Sequence, residues 1–124
     1  MTQKSEIGAK GESAACLFLA RKGYRIVERN AWKPWGELDI VAKSPDGTLV
    51  CVEVKTITGS WAEYSGVQPE DNMTSGKLER FRRTASLYAG FRHELVDDER
   101  GWRLDVVAII KQNGGYEIRH YENV

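Results

Sequence analysis

The sequence predicts an α/β sandwich, a central mixed β-sheet of about five strands flanked by α-helices in the order αβββαββ. Three observations carry this. Residues 7–22 and 75–89 repeat apolar side chains at helical spacing, five other runs are β-branched or alternate apolar with polar residues, and no linker, repeat or low-complexity stretch divides the chain. At 124 residues, positions 1–124 are expected to form a single domain with a modest core.

The first helix, residues 7–22, is rich in Ala and Leu and is closed by Gly23 after Arg21 and Lys22. Glu12 shares a face with Ala15, Cys16 and Leu19 at helical spacing, so it points toward the side that should cover the sheet. It either meets a partner there or, as a first-turn Glu favoured by the helix dipole, turns to solvent. The spacing leaves both open. Residues 24–30 read as the first strand, followed by a loop holding Trp32, Lys33, Pro34, Trp35 and Gly36. Aromatics interleaved with basic residues can stack on bases and touch phosphates; they equally serve to cover a core edge.

Residues 37–43 and 49–55 follow as a hairpin, joined by Ser44, Pro45, Asp46, Gly47 and Thr48, which have the composition of a turn. The hydrophobic pattern chooses its register. With all five turn residues in the loop, Ala42 faces Val50, Ile40 faces Val52 and Leu38 faces Val54, giving one apolar face, whereas a four-residue loop mixes the two faces. On the other face Asp39 then lies opposite Glu53, and Glu37 opposite Lys55. Two carboxylates at a cross-strand separation of roughly 4.5 to 5.5 Å repel each other. Something positive is expected between them: either Lys55 and nearby arginines as a surface network, or a divalent cation. Two carboxylates, a main-chain carbonyl and waters suit Mg²⁺, with Lys55 then orienting or deprotonating the attacking water or offsetting phosphate charge.

Residues 56–72 lack periodicity and carry Gly59, Ser60, Gly66 and Pro69, the composition of a long mobile loop. The second helix, 75–89, places Leu78, Phe81, Ala85 and Tyr88 on its buried stripe, with Lys77 and Arg80 on the flank and Arg82 and Arg83 further round. A polar connection, 91–101, leads to a β-branched strand at 103–111, a turn at Asn113, Gly114 and Gly115, and a last strand at 116–121. His93 and His120 have no carboxylate or thiol neighbour in sequence and receive no role.

The chain carries 18 basic and 18 acidic residues, so attraction to nucleic acid must come from local asymmetry, chiefly Lys77, Arg80, Arg83, Lys33 and Arg29. The longest apolar run, 14–20, is far short of the ~18 residues of a membrane span, and residues 1–6 lack a signal-peptide core, so a cytoplasmic location and no membrane partner are expected. Cys16 and Cys51 form no metal-binding pattern and read as reduced core thiols.

Asp39, thirteen residues, then Glu53, Val54 and Lys55 resembles the signature of the PD-(D/E)XK nuclease superfamily, the restriction-endonuclease-like fold. Gly8, Gly11, Glu12 and Ala15, Gly23 and Tyr24, Asn30, the run from Gly36 to Ala42, Val52 to Lys55 and Lys77 are together similar to the small bacterial YraN family, over nearly the whole chain. The resemblance implies an endonuclease-like protein grouped with Holliday-junction resolvases. It implies Asp39 and Glu53 as metal ligands with the Val54 carbonyl, Lys55 as the catalytic lysine, Glu12 as the carboxylate completing the cluster, and Lys77 as the basic residue of the following helix. Where relatives commonly carry an Arg soon after this run, the chain has Thr56, Ile57 and Thr58. The expected activity is Mg²⁺- or Mn²⁺-dependent phosphodiester hydrolysis on duplex or branched DNA, with homodimerisation left open. The competing expectations are a non-catalytic nucleic-acid- or protein-binding module and a metal-free structural protein.

Overall fold

The computed structural model describes residues 6–58, 75–112 and 114–124. Helix α1 (Glu6–Arg21) is followed by strands β1 (Arg25–Lys33), β2 (Gly36–Lys43) and β3 (Leu49–Thr58), helix α2 (Ser75–Phe91), and strands β4 (Trp102–Gln112) and β5 (Gly115–Tyr121). The five strands make one mixed sheet in the order β1-β2-β3-β4-β5, in which β3 and β4 run parallel and every other pair antiparallel. This is the expected α/β sandwich. Because β3 and β4 are parallel, the chain must cross the sheet between them, and α2 lies in that crossover.

The two helices cover opposite faces. Ala15 and Leu19 of α1 share a core with Tyr24, Ile40, Ala42, Val50, Val52, Val107 and Ile109, whereas Phe81, Ala85, Tyr88 and Ala89 of α2 share one with Ala31, Leu38, Val41, Leu49, Cys51 and Leu104. The central strands are apolar toward both layers, as strands covered on both faces must be. Both cysteines are free thiols, and burial pushes the Cys51 thiol up to about 12. Among the described residues no helix is long and apolar enough to cross a membrane.

Several elements run further than their local patterns indicate. The first strand does not stop at Asn30, because Trp32 pairs with Glu37 and Lys33 with Gly36, carrying the ladder to a tight turn at Pro34 and Trp35. β3 continues past Lys55 to Thr58, where it still pairs with Lys111. In each case cross-strand hydrogen bonding overrides the residue composition. The rest of the stretch read as a loop, 59–72, lies outside the described residues. The β2–β3 loop holds itself together: Asp46 accepts hydrogen bonds from the hydroxyl of Ser44, the hydroxyl of Thr48 (2.7 Å) and the Thr48 N–H (3.1 Å). Those bonds, Ser44's foremost, hold the Asp46 carboxyl well below the usual range.

Candidate functional site

β2 and β3 pair in the five-residue register, Ala42 with Val50 and Ile40 with Val52. The ladder ends there. Asp39 and Glu53, the next residues along, lie where the strands part, and Asp39 Oδ2 accepts the N–H of Val54 at 2.9 Å. The Asp39 carboxylate is thereby tied to a main-chain donor of β3 one residue beyond Glu53.

Asp39 is also the point at which β2 changes layers. Leu38 belongs to the α2-side core and Ile40 to the α1-side core, so of the apolar face expected from Leu38, Ile40 and Ala42 only the last two remain together. The cause is visible in β1. Between the pairs Arg29↔Ile40 and Ala31↔Leu38 stands Asn30, whose φ is 51°. A residue in this left-handed region breaks the alternation of the pleat, and Asn is among the few side chains that tolerate it.

On β3, Glu53 and Lys55 follow Cys51 on the α2 side and, with Glu37, Lys77, Arg80 and Thr84, line a groove of about 300 Å³. Glu12 comes from the other layer and is only 2% exposed. Beside it, Gly11 sits so close to β3 that an added Cβ would fall 2.6 Å from Thr56 Oγ1, an approach open only to glycine. Lys77 and Glu12 therefore come to β3 from opposite sides of the sheet, and Asp39 occupies the seam between the layers. The remaining basic residues are dispersed. Arg83 is exposed on α2, Lys33 Nζ stands 4.7 Å from the centre of the Phe91 ring, and Arg29 donates to Ser13 Oγ on α1 at 3.1 Å.

A cation in this seam would be offered hard oxygen donors, the carboxylates of Asp39 and Glu53 and the carbonyl of Val54. A residue in an extended strand directs its N–H and C=O to the same neighbour. Since the Val54 N–H meets Asp39, its carbonyl opens on the same seam. The donor set fits Mg²⁺ or Mn²⁺, which take oxygen ligands and keep several waters.

A second polar cluster escaped the sequence reading. Asp105 is fully buried on β4, and its Oδ2 lies 2.7 Å from His120 Nε2. Arg103 donates to Asp105 Oδ1 (3.0 Å), to Glu122 (2.9 Å) and to the Tyr24 hydroxyl (2.8 Å), while the Asn123 N–H donates to Asp105 Oδ1 (3.0 Å). His120 thus has the carboxylate neighbour it lacks in sequence. The signal was Asp105 itself, an acid inside an otherwise apolar strand, which demands a partner; the pairing Val107↔His120 brings one. The donor atoms of Asp105, His120 and Glu122 lie within 4.8 Å of one another, yet the Arg103 guanidinium already supplies the cation between the two carboxylates. Through Tyr24 this cluster ties β4 and the residues after β5 to the segment that joins α1 to β1.

Residues 11–109 match the family described as "Uncharacterised protein family UPF0102". A UPF0102 protein of Corynebacterium efficiens is 40% identical over 125 residues, covering 99% of this chain and 94% of its own. One from Lawsonia intracellularis is 38% identical, covering 96% and 84%, and one from Mycobacterium ulcerans is 37% identical, covering 98% and 95%.

Proposed function

The chain belongs to the UPF0102, YraN-like, family, and from that premise we propose that it is a metal-dependent DNA endonuclease of the PD-(D/E)XK kind, hydrolysing phosphodiester bonds in duplex or branched DNA. The observation that carries this is the seam between β2 and β3. There Asp39 binds the Val54 N–H while Glu53 and Lys55, on either side of Val54, project into a groove edged by Lys77 and Arg80. Acidic ligands, a lysine and two phosphate-directed cations are the parts this chemistry requires.

Asp39, Glu53 and the Val54 carbonyl would hold the cation. Bound there, Mg²⁺ or Mn²⁺ supplies Lewis-acid polarisation of the phosphate and a water of lowered pKa. Lys55 orients or deprotonates the attacking water, and Lys77 and Arg80 hold the flanking phosphates in line. Glu12, buried on the α1 side, would be the helix carboxylate that completes the acidic cluster.

Metal titration tests this with two variants. Wild-type protein is expected to unfold at a higher temperature as Mg²⁺ or Mn²⁺ is added, since a ligand of the folded state alone must stabilise it. Glu53→Ala loses both that rise and cleavage. Lys55→Ala keeps the metal-dependent rise while cleavage falls by roughly 10²- to 10⁴-fold, as for a lost acid/base group. If all three respond to metal alike and none cuts single-stranded, duplex or branched DNA, catalysis is refuted. The alternative reading, a non-catalytic nucleic-acid-binding module, draws on the three cations, Lys55, Lys77 and Arg80, that face two carboxylates in the groove; it predicts DNA binding with no metal response.

A further inference from the structure

The tip of the β1–β2 hairpin carries large aromatic rings that the fold leaves in the open. Trp32 is 58% exposed, Phe91 at the end of α2 is 56% exposed and Trp35 is 38% exposed. Trp35 and Phe91 meet edge to face, their centroids 5.8 Å apart and their planes at 67°, and Lys33 Nζ lies over the Phe91 ring. These contacts fix Trp35, Lys33 and Phe91 against each other without covering them, whereas Trp32, between Ala31 of the α2-side core and Lys33, points to the opposite face of the sheet. The same contacts also place a cation among the aromatic faces.

The patch is continuous with the groove. Thr84, which lines the groove, donates its hydroxyl to the Trp35 carbonyl at 3.5 Å. Gly36, the next residue, sits so close to α2 that a Cβ would overlap the Thr84 side chain, and Glu37 beyond it lines the groove again. Along α2, Thr84 and Phe91 are separated by roughly 10 Å at 1.5 Å per residue. A stacked strand covers that distance in about three nucleotides at ~3.4 Å each.

We infer that Lys33 and Trp35 of the hairpin tip form, with Phe91, a stacking platform for unpaired nucleobases, about three nucleotides along the strand whose phosphate lies in the groove. The inference rests on the reading of the groove as a DNA site and specifies its substrate as DNA with a single-stranded segment beside that site, as at a tail, flap or junction. The chemistry supports bases over other partners. Ring faces accept any base without hydrogen-bond readout, and a lysine among them meets the intervening phosphates.

Binding measured in EDTA separates this from hydrolysis. Labelled single strand, blunt duplex, and duplex bearing a short single-stranded tail are titrated with the full chain, following fluorescence anisotropy. Wild type should bind the single strand and tailed duplex more tightly than the blunt duplex. Phe91→Ala should remove that preference, weakening single-strand binding by roughly 5- to 100-fold while leaving blunt-duplex binding unchanged. Phe91→Tyr should retain most of the preference, since a ring of the same size still stacks. Lys33→Ala should weaken single-strand binding and lower its salt slope by about one counterion. The platform is overturned if wild type shows no preference for unpaired DNA or fails to bind any of the three, or if Phe91→Ala and Lys33→Ala bind tailed duplex as wild type does. A platform that fails leaves the metal response of Glu53 and Lys55 intact, and a missing metal response leaves the EDTA result standing.

Discussion

Asp105 is enclosed completely, and its charge is held by its neighbours. Burial alone would raise its carboxyl pKa, but hydrogen bonds from His120, Arg103 and the Asn123 amide outweigh burial and hold it below its ordinary 3.8. The sign of the pH effect follows. A carboxyl with a lower pKa folded than unfolded contributes its full stability above the unfolded value and loses it as pH falls toward the folded one. Asp105→Asn should therefore cost about 3–5 kcal/mol at neutral pH, the typical loss when one member of a buried ion pair is removed. It should also flatten the decline in stability below about pH 4 in urea titrations at successive pH values. At this scale the sequence was uneven. Asp39, Glu53 and Lys55 announced themselves by spacing on one hairpin, whereas His120 and Asp105 become neighbours only through the pairing of two later strands, a register the Asn-Gly-Gly turn does not by itself settle.

The docking of α1 on β3 turns on Gly11. An Ala there gains up to about 1 kcal/mol of helix propensity, but its Cβ would lie 2.6 Å from Thr56 Oγ1, also close to Ile109 and Val54. Thr56 is β-branched and stiff at χ1, so relief requires α1 to move. Overpacking of this kind costs about 1–3 kcal/mol, and Gly11→Ala should be destabilising on balance. The double variant Gly11→Ala, Thr56→Ala should recover most of the loss, so a double-mutant cycle by chemical denaturation should show a coupling well above the ~0.5 kcal/mol of independent sites. Additive effects would mean that the helix does not bear on Thr56. Elements of this kind were legible where their pattern is local: the helical stripes, the hairpin register and the loop from Ser44 to Thr48 all follow from side-chain alternation. The crossing of Leu38 into the other layer was not, because it depends on the left-handed backbone of Asn30 in the neighbouring strand.

At the scale of the whole molecule, 18 cations balance 18 anions, so any attraction to DNA is confined to one side. Arg80 borders the groove and Arg83 is exposed on the same helix. Arg80→Ala with Arg83→Ala should weaken DNA binding alike for every sequence and lower the salt slope by about two counterions; an unchanged slope would move the binding surface elsewhere. The sheet that carries this surface also sets a timetable. β3, bearing Glu53 and Lys55, pairs on one side with β2, just upstream, and on the other with β4, from Leu49↔Trp102 to Thr58↔Lys111. At the ~5–20 residues per second of translation, the far edge of β3 waits roughly 3 to 11 s for its partner to be synthesised. During that interval a strand that ends up at the centre of the sheet is a bare edge, apolar on both faces from Leu49 to Val52, and such edges recruit other chains. The growing polypeptide thus holds every acidic residue of the seam long before it has the strand that fixes them, and its most exposed moment falls between the making of the motif and the closing of the sheet.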